Sequence, residues 1–199
     1  MKPLNEESDK KKIIIEKYNS TSSVYDDRYS KIQNEKYSLQ FKNIDFQHTT
    51  LLDAGCGTGL LFEYICNLSY KNLDNDLRYV GLDISWKMLM QFYNKMKKIK
   101  CRRNKSLVLG DIENLPFREE SFNLIFSITS LQNLQDLKKG LKELIRVGRE
   151  NTALNLSILR NQLNLKEVVT YLNSHTINLK TEIVEDVEDV LIQGSLMKD

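Results

Sequence analysis

The chain has 199 residues, of which 41 % are hydrophobic and 28 % are charged, a balance that excludes a disordered or fibrous protein. Its formal net charge is only +2, so the overall charge does not indicate a nucleic-acid partner. No apolar run approaches the length that crosses a bilayer, and we therefore expect a cytoplasmic protein with no membrane partner.

The predicted elements begin with two stretches of helical spacing, 10–18 and 35–44, which predict a helical cap over residues 1–47. Runs of strand character follow, with helical patterns between most of them: strands at 49–52, 78–82, 106–109, 122–127 and 153–158, and helices at 60–68, 87–98, 137–147 and 165–173. The last two runs, 179–187 and 189–197, predict a terminal antiparallel hairpin.

This alternation predicts an α/β fold, a Rossmann-like doubly wound sheet of seven strands that is mostly parallel. Because one hydrophobic core can close at this length, we expect a single domain over residues 1–199, with its core at 48–199. The cysteines, Cys56, Cys66 and Cys101, are widely spaced and are expected to be reduced thiols; we predict no metal site.

A glycine-rich turn follows the first predicted strand, in the segment that contains Asp53, Gly55, Gly57 and Gly59. Glycine suits such a turn because it adopts positive φ and lets the backbone approach a ligand. The N–H groups at the start of the following helix suit a carboxylate or a phosphate. A turn of this kind is also compatible with a merely tight connection or with a dinucleotide site.

Two later strands also end on an acidic residue. Asp83 stands at the end of the second strand, where it can accept hydrogen bonds from both ribose hydroxyls, although it could also be a helix-start charge beside an N-cap at Ser85. Asp111 stands at the end of the third and can accept from an adenine amino group, while Ile112 and Ile84 pack against the ring. Ligands bind at the carboxyl ends of parallel strands, so these residues predict a nucleoside site.

These segments resemble the successive motifs of the class I S-adenosylmethionine-dependent methyltransferases, in the methyltransferase type 11 group, over residues 49–147. The resemblance implies S-adenosylmethionine as the cofactor. It places the three turn glycines beside the methionine moiety, Asp83 on the ribose, and Asp111 with Ile112 on the adenine, while Asp53 orders the loop. The segment with Tyr25 and Tyr29 resembles the part of this group that closes over the cofactor; the alternative is that both rings only pack the cap.

Methyl transfer from a sulfonium mainly requires alignment of the reacting atoms, and a base is needed only for some acceptors. Ser127, Thr129 and Gln132, at the end of the fourth strand and just beyond it, are predicted to position the substrate, and Ser127 also to contact the cofactor. Some of these side chains could instead cap the next helix. No NPPY-like run is present, which makes exocyclic amines and glutamine amides less expected acceptors.

Short stretches, 121–134, 80–88 and the Tyr25 segment, are similar to the eukaryotic ribosomal-RNA guanine-N7 methyltransferase. That similarity implies an acceptor in the translation machinery, RNA or protein, and a small zinc-binding activator protein. The activator would pair with the predicted edge strand, which begins at Ser106 and ends at Leu109. Basic residues between Lys95 and Lys105 fit phosphate binding, although a solvated helix end, where cations suit the helix dipole, is slightly favoured.

Two other functions remain open. A small-molecule methyltransferase of the ubiquinone-biosynthesis type fits the same motifs. A cofactor-binding subunit without activity of its own also fits, because intact binding residues do not prove turnover.

Overall fold

The structure is a computed structural model that describes residues 6–41, 44, 46–68, 77–99, 104–161, 164–183 and 188–198. The chain folds into one sheet with helices on both faces. The helices and strands, in chain order, are α1 Glu6–Thr21, α2 Tyr25–Gln40, β1 Thr50–Ala54, α3 Leu60–Asn67, β2 Arg78–Asp83, α4 Trp86–Lys98, β3 Asn104–Leu109, β4 Phe122–Ile128, α5 Leu137–Val147, β5 Gly148–Leu159, α6 Leu165–Asn173, β6 Thr176–Ile183 and β7 Asp189–Leu196. Short 3₁₀ helices span Ser22–Val24 and Leu131–Asn133.

The seven strands are ordered β3-β2-β1-β4-β5-β7-β6. β1 to β5 pair in parallel, whereas β7 is antiparallel to both β5 and β6. This arrangement confirms the predicted mostly parallel sheet with an antiparallel terminal hairpin. The hairpin begins at Thr176, three residues before the predicted start, and residues 184–187 lie outside the described part of the chain.

Both faces of the central strands are covered, as the continuous apolar runs require. In β1, Leu52 and Ala54 pack into the core on one side of the sheet, and Leu51 packs into the core on the other. β4 divides in the same way, with Ile125 on the first side and Phe126 on the second. The middle of the sheet is therefore buried, and a site can form at the carboxyl ends of its strands.

The second cap helix differs from its prediction. α2 spans Tyr25–Gln40, whereas helical spacing was expected only at 35–44. Its buried residues are Gln33, Lys36, Tyr37 and Gln40, which have helical spacing but are mostly polar. A pattern of apolar residues cannot reveal a helix whose buried face is polar.

The cysteines differ from one another. Cys56 is a free, buried thiol, as expected. Cys66 is disulfide-bonded, which corrects the expectation of a reduced thiol at that position. Cys101 lies outside the described residues.

Candidate functional site

A cavity, called here the first cavity, lies at the carboxyl ends of the central strands and beneath the cap helix α1. Its walls combine the cap, the glycine turn, both later acidic strand ends and the segment after β4: Lys11, Ile14, Tyr18, Tyr25, Gly55, Gly57, Asp83, Ile84, Met88, Gly110, Asp111, Ile112, Glu113, Ile128, Thr129, Ser130, Asn133 and Leu134. The fold therefore brings together most of the residues that the sequence assigned to one nucleoside site.

The glycine turn after β1 is fixed to the next strand. The backbone N–H groups of Gly55 and Cys56 both donate to the Leu82 carbonyl, at 2.7 and 2.9 Å. Gly57 has φ +53°, and an added Cβ there would meet no described atom within 4 Å. The turn thus leaves open space at Gly57, where a ligand can approach the backbone.

Gly59 has a different role from the other turn glycines. It has φ +81°, and an added Cβ would lie 2.3 Å from Cδ2 of Phe92, a fully buried ring on α4. Gly59 does not line the first cavity. The structure accordingly gives it a packing role between α3 and α4, and its predicted position beside the methionine moiety stays a prediction.

We expect Gly59→Ala to lower the free energy of unfolding by about 2 kcal/mol, because left-handed strain adds to overpacking against Phe92. Gly57→Ala introduces the left-handed strain but no clash, so its free energy of unfolding should fall by about 1 kcal/mol. Urea unfolding of both variants measures the difference. Equal losses would contradict the packing role of Gly59.

Asp83 is held in place by the backbone around it. Its carboxylate accepts from the N–H of Gly57 and the N–H of Ser85, both at 2.8 Å. Burial raises its pKa, and the backbone hydrogen bonds act in the opposite direction. Ser85 also caps α4 by accepting from the Met88 N–H at 3.2 Å. The segment therefore both begins helix α4 and forms part of the cavity wall.

The acidic end after β3 contains two residues that the sequence reasoning missed. Asp111 accepts from the Glu113 N–H at 2.9 Å, and Lys11 of α1 lies 2.6 Å from Asp111 Oδ2 and 2.9 Å from Glu113 Oε2. Glu113, two residues after Asp111, could have been suspected from its position. Lys11 is a hundred residues away in the sequence, where no local signal points to it. The cap is thus tied to the predicted adenine end of the cavity.

Asp53 lies behind the glycine turn and not in the first cavity. It borders a smaller cavity that also contacts Tyr25, Gly55 and Gly57, and it accepts a short hydrogen bond from the Tyr79 hydroxyl. Burial raises the pKa of Asp53 to about 7, the Tyr79 hydrogen bond opposes this, and the nearby charge of Asp83 adds to it.

The raised pKa of Asp53 predicts that stability falls as the pH rises from about 4 to about 7, because the folded protein keeps a proton that the unfolded chain has released. Asp53→Asn removes this contribution. The stability of the variant relative to the parent should therefore increase by about 2.5 kcal/mol between pH 5 and pH 8. Urea unfolding across that range tests the prediction, and parallel pH profiles would contradict it.

The tyrosines of the cap form part of the wall. Tyr25 borders the first cavity and packs edge-on to Tyr18 and at a tilt to Tyr29, with ring centroids 6.4 and 4.7 Å away. Tyr29 is 41 % exposed and borders only a neighbouring cavity. The structure therefore brings Tyr25 to the first cavity and leaves Tyr29 outside it.

That neighbouring cavity, called here the second cavity, has a volume of about 500 Å³ and lies between α2, the segment after β4 and the start of β7. Thr129 and Gln132 line it, as does Asn133. Ser127 is fully buried and hydrogen-bonds the Ala54 carbonyl at 3.0 Å, so it supports the strand ends and does not reach either cavity. Ser130 lines the first cavity instead and was missed, although it is in the same segment.

A buried ion pair closes one wall of the second cavity. Lys36 Nζ lies 2.8 Å from Asp189 Oδ1 and donates to Thr129 Oγ1 at 2.7 Å, while that hydroxyl donates to Asp189 Oδ2 at 2.9 Å. Burial lowers the pKa of Lys36, and Asp189 opposes this. Thr129 has φ +54°, a left-handed conformation that is unusual for a β-branched residue. The pair therefore holds a strained residue at the boundary of both cavities.

Part of the basic run makes contacts within the protein. Lys95 pairs with Asp26 at 2.7 Å and with Glu63 at 2.9 Å, which ties α4 to α2 and α3. Lys97 lies over the Tyr93 ring at 4.3 Å from its centroid. Lys100, Arg102 and Arg103 lie outside the described residues. These contacts favour a structural role for the described part of the run.

Comparison with known proteins identifies the family. The profile of the family described as a methyltransferase domain matches residues 52–155, just over half of the chain. The chain belongs to this family, which confirms its resemblance to the class I S-adenosylmethionine-dependent methyltransferases. The match spans the glycine turn, Asp83 and Asp111.

The chain is also similar to two curated relatives and to one solved structure. It is 30 % identical over 153 residues to the malonyl-[acyl-carrier protein] O-methyltransferase of Hamiltonella defensa subsp. Acyrthosiphon pisum, a match that covers 77 % of this chain and 54 % of the relative. It is 28 % identical over 134 residues to the demethylmenaquinone methyltransferase of Porphyromonas gingivalis, covering 66 % and 53 %. The chain thus spans about half the length of these relatives.

The solved structure is a complex between the Haloferax volcanii Trm112 methyltransferase activator and a methyltransferase. It matches with a TM-score of 0.67 and 14 % identity, covering 91 % of this chain and 98 % of that chain. At this identity the likeness establishes the fold. Within the described residues, no helix combines the length and apolar character of a membrane span.

Proposed function

We propose that this chain is an enzyme that binds S-adenosylmethionine in the first cavity and transfers its methyl group to an acceptor in the second. The observation that carries the proposal is the contact between the two cavities, which share Tyr18, Tyr25, Thr129 and Asn133. Methyl donor and acceptor must meet at such a boundary for in-line displacement.

The residues of the first cavity fit the cofactor. Gly57 leaves open space beside the backbone, and Asp83 offers a buried carboxylate whose position is fixed by two N–H groups. In this proposal Asp83 binds the ribose hydroxyls, while Asp111 and Ile112 hold the adenine. When bound, S-adenosylmethionine supplies an activated methyl group, and the protein's task is to orient the donor and the acceptor.

A compact acceptor fits the second cavity best. Its volume of about 500 Å³ is within the range of about 300–1,000 Å³ that small-molecule sites occupy. The names of the curated relatives point to a malonyl group on a carrier protein and to a quinone precursor, which are both small reacting groups. A small-molecule methyltransferase of the ubiquinone-biosynthesis type is therefore the favoured form of the proposal.

An RNA or protein acceptor of the translation machinery, with a small zinc-binding activator, is the second candidate. β3 forms one edge of the sheet, and Leu109 at its end is 56 % exposed. An open edge strand can be extended by a strand from a partner. The likeness to a structure that contains the Trm112 activator supports the same candidate.

Transfer of a labelled methyl group separates these functions. The purified protein is incubated with methyl-labelled S-adenosylmethionine and a cell extract, which is then divided into small molecules, RNA and protein. Label in the small-molecule fraction is expected, and it should disappear with Asp83→Ala. Label in RNA or protein, increased by an added activator, would favour the second candidate. Cofactor binding without label in any fraction would indicate a non-catalytic subunit.

A further inference from the structure

Helix α4 presents one continuous face to solvent. Its opposite side is buried through Met88, Leu89 and Phe92, which determines how the helix is turned. The exposed positions, called here the α4 face, are Trp86, Lys87, Met90, Tyr93, Asn94, Lys97 and Lys98. They recur at the spacing of one helix surface, so aromatic and basic side chains lie together along the whole helix.

Two aromatic rings and a methionine form one row of the α4 face. Trp86 is 58 % exposed, Tyr93 is 46 % exposed and Met90 is 37 % exposed. They follow one another at intervals of four and three residues, so they lie side by side on the helix. Single exposed apolar side chains need no explanation, but a group of neighbours indicates an interaction surface.

The segment that contains this face is strongly basic. Residues 84–110 include eight lysines and arginines and no aspartate or glutamate. Because the whole chain has a formal net charge of only +2, the rest of the chain is net negative. The positive charge is thus concentrated in the segment that contains α4, and such a concentration attracts an anionic partner.

The lysines of the α4 face keep their charge available to that partner. Lys95, beside the face, pairs instead with carboxylates of α2 and α3. Lys87 and Lys98 are exposed and form no ion pair with a described residue. Lys97 lies over the Tyr93 ring, a neutral group that leaves the charge of the ammonium in place. Three cations therefore lie beside the aromatic row.

A single nucleic-acid strand suits this combination of side chains. Sites for single strands combine a positive surface that follows the phosphates with aromatic rings on which the bases stack. RNA is the nucleic acid that presents unstacked bases in loops, bulges and ends. An anionic membrane suits the face less well, since membrane-binding helices insert residues such as Leu and Phe, and the α4 face contains no Leu, Ile, Val or Phe.

We propose that the α4 face binds single-stranded RNA, with bases stacked on Trp86 and Tyr93 and phosphates bound by Lys87, Lys97 and Lys98. The inference goes beyond the proposed function, because docking on α4 requires neither the cofactor nor methyl transfer. It assigns an RNA-binding surface to a helix whose buried side belongs to the core.

The fluorescence of Trp86 tests the proposal directly, because it is the only tryptophan of the chain. The protein is titrated in about 50 mM salt, where phosphate contacts are strong, with an unstructured RNA of roughly 12 nucleotides, with its duplex form and with anionic lipid vesicles. We expect the single strand to quench the emission saturably and to bind about fivefold more tightly than the duplex, whose bases are already stacked. Equal or tighter binding of the duplex, or a response to vesicles alone, would overturn the inference.

The contribution of the rings is measured with matched substitutions. Trp86→Leu and Tyr93→Leu should each weaken binding of labelled RNA by about tenfold, whereas Trp86→Phe and Tyr93→Phe, which keep a ring, should weaken it by about threefold or less. Fluorescence anisotropy gives the Kd values. Melting temperatures should stay within a few degrees of the parent, since both side chains are exposed. Equal binding by the Leu and Phe variants would contradict stacking and overturn the inference.

The contribution of the lysines is measured by salt dependence. Replacing Lys87 and Lys98 together by Ala should reduce the slope of log K against log salt concentration by about 1.4, because each phosphate contact with a single strand contributes about 0.7. Replacing Lys31 and Lys166, exposed lysines of α2 and α6, is the matched control and should leave the slope unchanged. The same slope in both double variants would overturn the inference.

Binding of S-adenosylhomocysteine, the demethylated cofactor, is measured on the same samples. A protein that binds the RNA through the α4 face but does not bind S-adenosylhomocysteine supports this inference and contradicts the proposed function. A protein that binds S-adenosylhomocysteine but not the RNA contradicts only this inference.

Discussion

Lys36→Met is expected to lower the free energy of unfolding by about 3–5 kcal/mol, because it leaves the Asp189 carboxylate buried without its cation. Lys36 and Asp189 are each 2 % exposed at the side chain and lie 2.8 Å apart. The Thr129 and Ser157 hydroxyls also donate to Asp189, but hydroxyl dipoles do not replace a full positive charge. Equilibrium urea unfolding measures the loss.

Two further variants define this effect. Lys31→Met, at an exposed position of the same helix, should change stability by no more than about 0.5 kcal/mol. The double replacement of Lys36 by Met and Asp189 by Leu should lower the free energy of unfolding by less than Lys36→Met alone, because no unpaired charge remains. If the free energy of unfolding of Lys36→Met stays within about 1 kcal/mol of the parent, as for a surface substitution, the Lys36–Asp189 pair does not stabilise the fold as we expect.

Asp83→Ala is expected to weaken S-adenosylmethionine binding by about 3 kcal/mol, roughly a hundredfold in Kd. The carboxylate is nearly buried, borders the first cavity and is oriented by the N–H groups of Gly57 and Ser85. Its removal would take away the charged hydrogen bonds that we propose for the ribose, and it leaves two N–H groups without an acceptor. Titration calorimetry gives the change directly.

Asp27→Ala is the matched control, since Asp27 is an exposed aspartate of the cap helix α2. Its Kd should stay within twofold of the parent. Circular dichroism verifies that both variants are folded. A Kd for Asp83→Ala that changes less than threefold would refute the assignment of the ribose to Asp83.

The sheet and the outline of the first cavity were predictable because their signals are local. A strand that runs into a glycine turn and a helix encodes its own backbone conformation, and Gly57 fits that turn as expected. Asp83 and Asp111 follow apolar runs that must be strands, and parallel strands bring their carboxyl ends to one edge. The convergence of Asp83 and Asp111 on the first cavity therefore follows from spacing alone.

The contributions of the cap could not be predicted in this way. α2 buries Gln33, Lys36 and Gln40, so its hydropathy pattern resembles that of an exposed segment. Lys36 becomes acceptable inside the protein because Asp189, far along the chain, lies beside it. Lys11 reaches Asp111 and Glu113 for the same kind of reason.

The amino-acid sequence thus specifies the parallel sheet, the glycine turn and the acidic strand ends, since each depends on backbone conformation and hydrophobic periodicity over a few residues. The three-dimensional packing specifies which glycine faces open space, which serines and tyrosines reach a cavity, and where polar side chains are buried. Those outcomes depend on contacts between residues distant in the chain, because burying a polar or charged group is favourable only where the fold supplies its partner.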